Sequence, residues 1–354
     1  MYLVVKPIDE PEKKKASPIP AKLDNQHCVF YGMNLKHESV IDLKTKLHEP
    51  YDPKYKNPFN VHIGQRKLML SEIQMLNEYY KNGASKNPIL LYVGAAPGHH
   101  LILLSIMYPN VFFMLYDGAK FFPLLKRYPN IYDIHEGENG FVTTDVIRKL
   151  KTKLQKTNRD LLFVSDIRLG NENRNKFEEA VTRDMALQEE WVDILKPKLS
   201  LLKFRMSYNL KHGNKIKYTK GKILYGIWPK SLSGETRLLV NESDVGQKIL
   251  YDFQKYEEVM FFHNKYKRLY CFAFNNEDNA IQKIIKSKNN PYCQCYDCLA
   301  ELKVLHNYST IMKKDFNKTI QEFAKYMNKE NVPTFQTNSS APTRPPMSKL
   351  ELKI

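Results

Sequence analysis

The run "ILLYVGAAPGHHLILL", Ile89 to Leu104, constrains the fold of this chain more than any other. An apolar stretch stops at Gly94, a second glycine follows four residues later behind Pro97, and another apolar stretch begins. The pattern reads as strand, tight turn and helix. Two features extend it upstream. Leu68, Ile73, Leu76 and Tyr80 share one face at the 3.6-residue period in "GQRKLMLSEIQMLNEYYKNG", and Asn82-Gly83 offers a helix stop. Downstream come the strand "VFFMLYD" (111–117), a helix around 145–155, the strand "DLLFVSD" (160–166), an amphipathic helix over about 176–195 and the strand "LSLLKF" (199–204). This rhythm predicts an α/β fold, an open and mostly parallel sheet with helices on both faces. "KILYGIW", "ETRLLV" and "RLYCFAF" are expected as late strands of the same sheet, and the last helix over about 309–328.

The turn itself discriminates between ligands. A dinucleotide fingerprint needs three glycines so that the backbone can approach a pyrophosphate. Gly94-Ala95-Ala96-Pro97-Gly98 lacks the middle one, and Pro97 removes an N–H that a phosphate site would use. A cofactor without phosphates, S-adenosylmethionine, fits better, with Asp117 at the end of the next strand placed to hold ribose hydroxyls. The alternative is a plain tight turn, since the G-x-x-x-G spacing recurs in other α/β folds. Asp166 ends the third strand and should border the same crevice, unless it only caps the following helix. Lys203 interrupts an apolar strand, so it either snorkels to solvent or sits in a polar site.

Composition sets the partner class. The 354 residues carry a formal charge of +17, with basic residues interleaved among 22 Tyr and 18 Phe, which favours a nucleic acid over a membrane surface. Arg168, Arg205, Lys211 and Lys215, followed by Lys217, Lys220 and Lys222, are expected to form a basic track near the cleft. No apolar run is long enough to span a bilayer, and the charged, proline-rich start of the sequence is not expected to act as a secretory signal. Boundaries are expected for an N-terminal arm (1–45), a catalytic domain (46–280), a C-terminal extension (281–330) and a disordered tail (331–354). The odd count of five cysteines argues for a reducing compartment.

The runs "GQRK", "YVGAAPGHH", "LYDG", "FVSDIR", "SLLKFR", "SGETRLL" and "KYEEVMFFHN", in this order over about two-thirds of the chain, resemble the poxvirus cap-specific mRNA (nucleoside-2'-O-)methyltransferase family. Members of that family also act as the small regulatory subunit of the viral poly(A) polymerase. The Asn- and Lys-rich composition fits a homologue from another large cytoplasmic DNA virus, so the implied setting is the host cytoplasm or the virion. The resemblance implies a Rossmann-like SAM-dependent methyltransferase fold. It carries the Lys-Asp-Lys-Glu tetrad, shared with FtsJ-type RNA methyltransferases, onto Lys67, Asp166, Lys203 and Glu235. In that chemistry a lysine draws the proton from a ribose 2'-hydroxyl; burial and a second ammonium favour its neutral form, and the carboxylates orient it. The base falls on Lys203, with Lys67 as the neighbouring charge.

By the same resemblance the cofactor positions are Gln65, Tyr92, Gly94, Gly98, His100 and Asp117, with Ala119 where the family has an arginine. Cap stacking by a cation between two aromatic rings falls on Tyr51 and Tyr208, and the hydrogen-bonding acid on Glu257. Leu210 stands at a second acidic position of the family. The implied partners are m7G-capped mRNA and a poly(A) polymerase catalytic subunit. Two other readings stay open: a non-catalytic processivity subunit, and methylation of ribosomal or internal RNA. Outside the resemblance, "YCQCYDC" holds Cys293, Cys295 and Cys298, which could ligate zinc with His306 as a fourth donor, or remain free thiols.

Overall fold

A computed structural model describes residues 35–56, 64–81, 83, 87–168, 174–272, 277–287 and 292–327. In chain order the elements are α1 (Gly64–Lys81), β1 (Ile89–Val93), α2 (His99–Met107), β2 (Phe112–Asp117), β3 (Ile131–Glu136), α3 (Thr144–Gln155), β4 (Leu161–Ser165), α4 (Arg174–Leu195), β5 (Leu199–Phe204), β6 (Lys215–Thr219), β7 (Lys222–Leu224), β8 (Thr236–Asn241), β9 (Lys248–Asp252), α5 (Phe253–Lys265), α6 (Asn279–Lys286), α7 (Tyr296–Ile311) and α8 (Phe316–Met327). Seven strands form one sheet in the order β3-β2-β1-β4-β5-β8-β7. The first five are parallel, and β8 and β7 add on antiparallel.

Parallel strands need crossovers, and their right-handedness decides where the helices lie. The chain steps outward from β1 through β2 to β3, then returns by α3 to β4 on the other side of β1. That reversal puts α2 on one face and α3 and α4 on the other, so β1, β2, β4 and β5 are almost wholly buried. It also opens a crevice between the carboxyl ends of β1 and β4, the place where open α/β sheets bind ligands.

The structure departs from the sequence expectations in four places. β3, "IYDIHE", is an edge strand with one fully buried residue, so it lacks the apolar run that marks its neighbours. β6 and β9 form a separate two-stranded antiparallel sheet. "RLYCFAF" is not a late strand in its described part: Lys267–Leu269 form a 3₁₀ turn, and Phe272 N–H donates to the Gln294 carbonyl at 3.0 Å. Leu269, Cys271 and Phe272 are buried, and the 3₁₀ turn packs against α5 and α7. The helix expected over 309–328 is two helices, broken where Lys313 takes a φ of 52°.

Segment boundaries shift as well. The expected arm is already part of the body from Leu35: Val40 bridges Leu224 of β7, and Ile41 N–H donates to the Ile223 carbonyl. The expected C-terminal extension shares the core of the sheet domain, with Leu299, Leu302, Leu305 and Phe323 in the same apolar cluster as β1 and β4. Residues 1–34 and the expected tail from 331 lie outside the described residues. No helix among the described residues is long and apolar enough to cross a membrane.

Candidate active site

The turn after β1 is shaped by how close two backbones come. Gly94 has a φ of 81°, and a Cβ there would meet the Asp166 carbonyl carbon and the Ile167 nitrogen at 2.8 Å. Only glycine fits both conditions. Gly98, with a φ of 71°, ends the turn ahead of α2. Asp117, leaving β2, holds the turn open: its Oδ2 accepts from Ala96 N–H at 2.9 Å and its Oδ1 from Ala119 N–H at 2.8 Å. Each carboxylate oxygen retains a second acceptor site for a hydroxyl. A cleft of about 460 Å³ lies here, lined on one side by Gly94, Asp117, Ala119 and Phe141 and on the other by Asp166, Arg168 and Lys203.

At the rim of this cleft Lys67, Asp166, Lys203 and Glu235 come together, although they are carried by α1, the end of β4, β5 and the loop before β8. Lys67 Nζ donates to Glu235 Oε1 at 2.6 Å. Lys203 Nζ is 3.2 Å from Asp166 Oδ1 and 3.8 Å from Glu235 Oε2. A fifth member was absent from the sequence reading. Arg237 lies one step along β8, directly across from Lys203, and donates to Asp166 Oδ1 at 2.8 Å and Glu235 Oε1 at 3.1 Å. Burial alone would depress the Arg237 pKa, but the two carboxylates outweigh it and hold the guanidinium above its ordinary value. Burial likewise disfavours ionised Glu235, yet Lys67, Arg237 and Lys203 hold its carboxyl well below the usual carboxylate range.

Lys203 occupies this place because the ladder on one side of β5 runs out. β4 pairs with β5 only as far as Ser165 opposite Leu202. At the next residue the buried Gln188 of α4 substitutes for the missing strand, its amide donating to the Lys203 carbonyl at 3.0 Å and its oxygen accepting Lys203 N–H at 3.1 Å. Gln188 was also missed, because an amide inside a helical period carries no sequence signal of its own.

Gln65, Tyr92 and His100 sit elsewhere. They are buried beneath the turn, not on the lining of the cleft. Gln65 Oε1 and His100 Nδ1 are 2.7 Å apart, His100 Nε2 is 3.0 Å from Glu72 Oε1, and Tyr92 Oη donates to the same oxygen at 2.8 Å. Their geometric role is to brace the N-terminus of α2 and the end of β1 against α1.

A second cleft, of about 420 Å³, opens beside the charged cluster and is lined by Tyr51, Tyr208, Glu257, Phe253 and Phe261 among others. Tyr51 and Tyr208 are 46% and 43% exposed, unusually bare for tyrosines facing a cavity. Tyr208 is nonetheless fixed: its N–H donates to Glu178 Oε2 at 2.7 Å, and the Arg205 guanidinium lies over its ring at 4.4 Å. A Cβ at Gly234 would come within 2.8 Å of the Tyr208 hydroxyl, so the ring packs against the residue preceding Glu235. Glu257 pairs with His212 at 3.0 Å. Leu210, partly buried, packs on the core and does not line this cleft.

The expected basic track is only partly on the surface. Lys211 and Lys215 are exposed, and Arg168 reaches the first cleft beside Asp184. Arg205 is a correction: it is buried and bonded to Glu178 at 2.9 Å, so it backs Tyr208 and is not free to meet a phosphate. His306 is a second correction. It lies 3.7 Å from Asp278 and edge-on to Phe316, outside the group that Cys293, Cys295 and Cys298 form.

A doubly wound sheet with a glycine turn at its switch point and a lysine–carboxylate cluster on the rim defines the Rossmann-like methyltransferase class. Within that class the chain belongs to the poly(A) polymerase regulatory subunit family, whose description matches residues 40–338. It is similar to the cap-specific mRNA (nucleoside-2'-O-)-methyltransferase of Myxoma virus (strain Lausanne), 26% identical over 263 residues that cover 71% of this chain and 76% of the relative. It is also similar to the protein of that name in Fowlpox virus (strain NVSL), 32% identical over 150 residues, 41% of this chain and 47% of the relative.

Proposed function

We propose that the protein transfers a methyl group from S-adenosylmethionine to the ribose 2'-hydroxyl of the first transcribed nucleotide of m7G-capped RNA. The observation that carries this reading is the convergence of Lys67, Asp166, Lys203 and Glu235 between the cleft at the glycine turn and the aromatic one. S-adenosylmethionine, when bound, supplies an electrophilic methyl on a sulfonium. Asp117 is the residue that would hold its ribose, and Gly94 and Gly98 leave the backbone open for its amino-acid end. Ala119, where relatives by resemblance carry arginine, leaves an apolar edge that Phe141 and Val142 extend.

The chain's own groups divide the remaining work. Lys203 Nζ accepts the hydroxyl proton; its contacts to carboxylates, 3.2 and 3.8 Å, are looser than the 2.6 Å bond that holds Lys67 to Glu235. Lys67 keeps Glu235 in place, and Asp166 and Glu235 aim the Lys203 amine. Tyr51 and Tyr208 would sandwich the cationic base, with Glu257 accepting from its N–H edge, which puts the first transcribed ribose next to Gly234 and the tetrad. General base catalysis of this kind supplies about 10²–10⁴ in rate.

The test is transfer of labelled methyl to three RNAs that differ only at the 5' end: m7G-capped, unmethylated-cap and uncapped. Labelling confined to the m7G-capped RNA, and reduced at least 100-fold in Lys203→Ala while cofactor binding persists, is the expected result. Equal labelling of all three RNAs removes the cap assignment, and full activity of Lys203→Ala removes the base. The family description supports a second activity as a regulatory subunit of a poly(A) polymerase. Stimulation of tail extension by the Lys203→Ala protein, with methyl transfer lost, would separate the two. The viral relatives, and described cysteines that form no disulfide, favour action in the reducing cytoplasm of an infected cell.

A further inference from the structure

Cys293, Cys295 and Cys298 have no part in either cleft, yet their sulfurs lie within 4.8 Å of one another and all three are buried. Cys293 and Cys298 Sγ are 3.6 Å apart, whereas a disulfide would bring them to about 2.05 Å. A tetrahedral zinc with Zn–S bonds of about 2.3 Å sets its sulfurs ~3.8 Å apart. We propose that these three cysteines bind one zinc ion as thiolates.

Two features support the assignment. The spacing C-x-C-x-x-C begins in an extended loop and ends in the first turn of α7, so two directions of approach converge on one point. Cys295 is the N-cap of α7, a 16-residue helix whose N-terminal dipole favours the anionic centre that three thiolates around a dication create. Binding replaces three S–H bonds by three Zn–S bonds and releases three protons, with no change of oxidation state.

The position explains what the ion would stabilise. The loop is tied to the segment that follows the 3₁₀ turn at Lys267–Leu269 by the Phe272–Gln294 hydrogen bond. Between Cys295 and Cys298, Asp297 binds Arg268 at 2.9 Å, and after the last cysteine Glu301 accepts from the Arg66 side chain, from Trp228 Nε1 at 2.8 Å and from Tyr292 Oη at 2.8 Å. Arg66 precedes Lys67 on α1. A zinc at the start of α7 would therefore clamp the helix that fixes the catalytic end of α1.

Metal content of the full-length protein, purified without affinity-tag metals, is expected at one zinc per chain. X-ray absorption at the zinc edge should show at least three sulfurs at about 2.3 Å. Titration of thiols with a mercurial should release the zinc to a chromogenic chelator before the protein unfolds, which keeps the test valid if Cys298→Ser fails to fold. Where Cys298→Ser does fold, zinc should drop at least tenfold. Less than a tenth of a zinc per folded chain overturns the proposal, as does a Cys293–Cys298 disulfide detected by mass. The readout is metal and sulfur coordination, so it stands or falls independently of the methyl-transfer reading.

Discussion

Arg237 is the residue whose chemistry is most exposed to test. A buried guanidinium in the apolar strand "TRLLVN" needs carboxylate partners, and it finds both of the tetrad's acids. Its planar fork spans Asp166 and Glu235 at once, which a lysine cannot do. Arg237→Lys should therefore keep the charge, lose the alignment, and lower kcat by about 100-fold with little change in cofactor affinity, since misplacement of about 1 Å at a reacting group has that effect. Single-turnover methyl transfer and equilibrium cofactor binding measure the two quantities; a fall in binding with unchanged turnover would mean that Arg237 serves the cofactor cleft. The residue was legible by the same reasoning that singled out Lys203, an ionisable group interrupting an apolar run. Lys67 and Glu235 were not legible that way. Lys67 lies on a mixed helix face and Glu235 in a polar loop, so only the resemblance grouped them with Asp166 and Lys203.

At the level of elements, strands with long apolar runs were legible and polar-edged ones were not. β1, β2, β4 and β5 read directly because both faces are covered, whereas β3 and the β6–β9 pair are half exposed and their patterns resemble loops. α7 escaped for another reason. It is apolar around most of its circumference because α1, α6 and α8 surround it, so its sequence shows little periodicity. Its buried Glu301 is nevertheless the hub for Arg66, Trp228 and Tyr292. Glu301→Leu leaves the Arg66 guanidinium buried without its carboxylate and should destabilise the fold by about 3–5 kcal/mol. Urea unfolding followed by tryptophan fluorescence would read this, Trp228 itself being bonded to Glu301; a loss below about 1 kcal/mol would show that Arg66 finds another partner. Methyl transfer should fall with it, because Lys67 follows Arg66 on the same turn.

The whole molecule carries a pH dependence that no single motif predicts. His37, near the start of the described chain, and His263, on α5, enter one aromatic cluster around Tyr296: His37 stacks on Tyr296 at 4.5 Å, and His263 stacks on Tyr225 at 3.9 Å and meets Tyr296 edge-on at 4.6 Å. His37 Nε2 lies 3.1 Å from the Tyr296 carbonyl and Nδ1 lies 3.4 Å from Lys303 Nζ, an arrangement in which Nε2–H donates and neutral Nδ1 accepts. Burial, helped by Lys303, pulls the His37 pKa down to about 3, and burial with Arg268 and Lys267 nearby pulls His263 well below its ordinary value. Unfolding frees both rings to titrate near 6.5, so below that pH the unfolded state binds protons that the folded state refuses, and stability is lost as pH falls. The loss should begin below about pH 6.5 and approach ~1.4 kcal/mol per pH unit for each histidine. Urea midpoints at pH 7.0, 6.0 and 5.0 for the natural protein and for His37→Phe/His263→Phe measure it. The double variant should lose most of the slope in this window; an unchanged slope would assign the acid sensitivity to other groups and leave the cluster a packing feature alone.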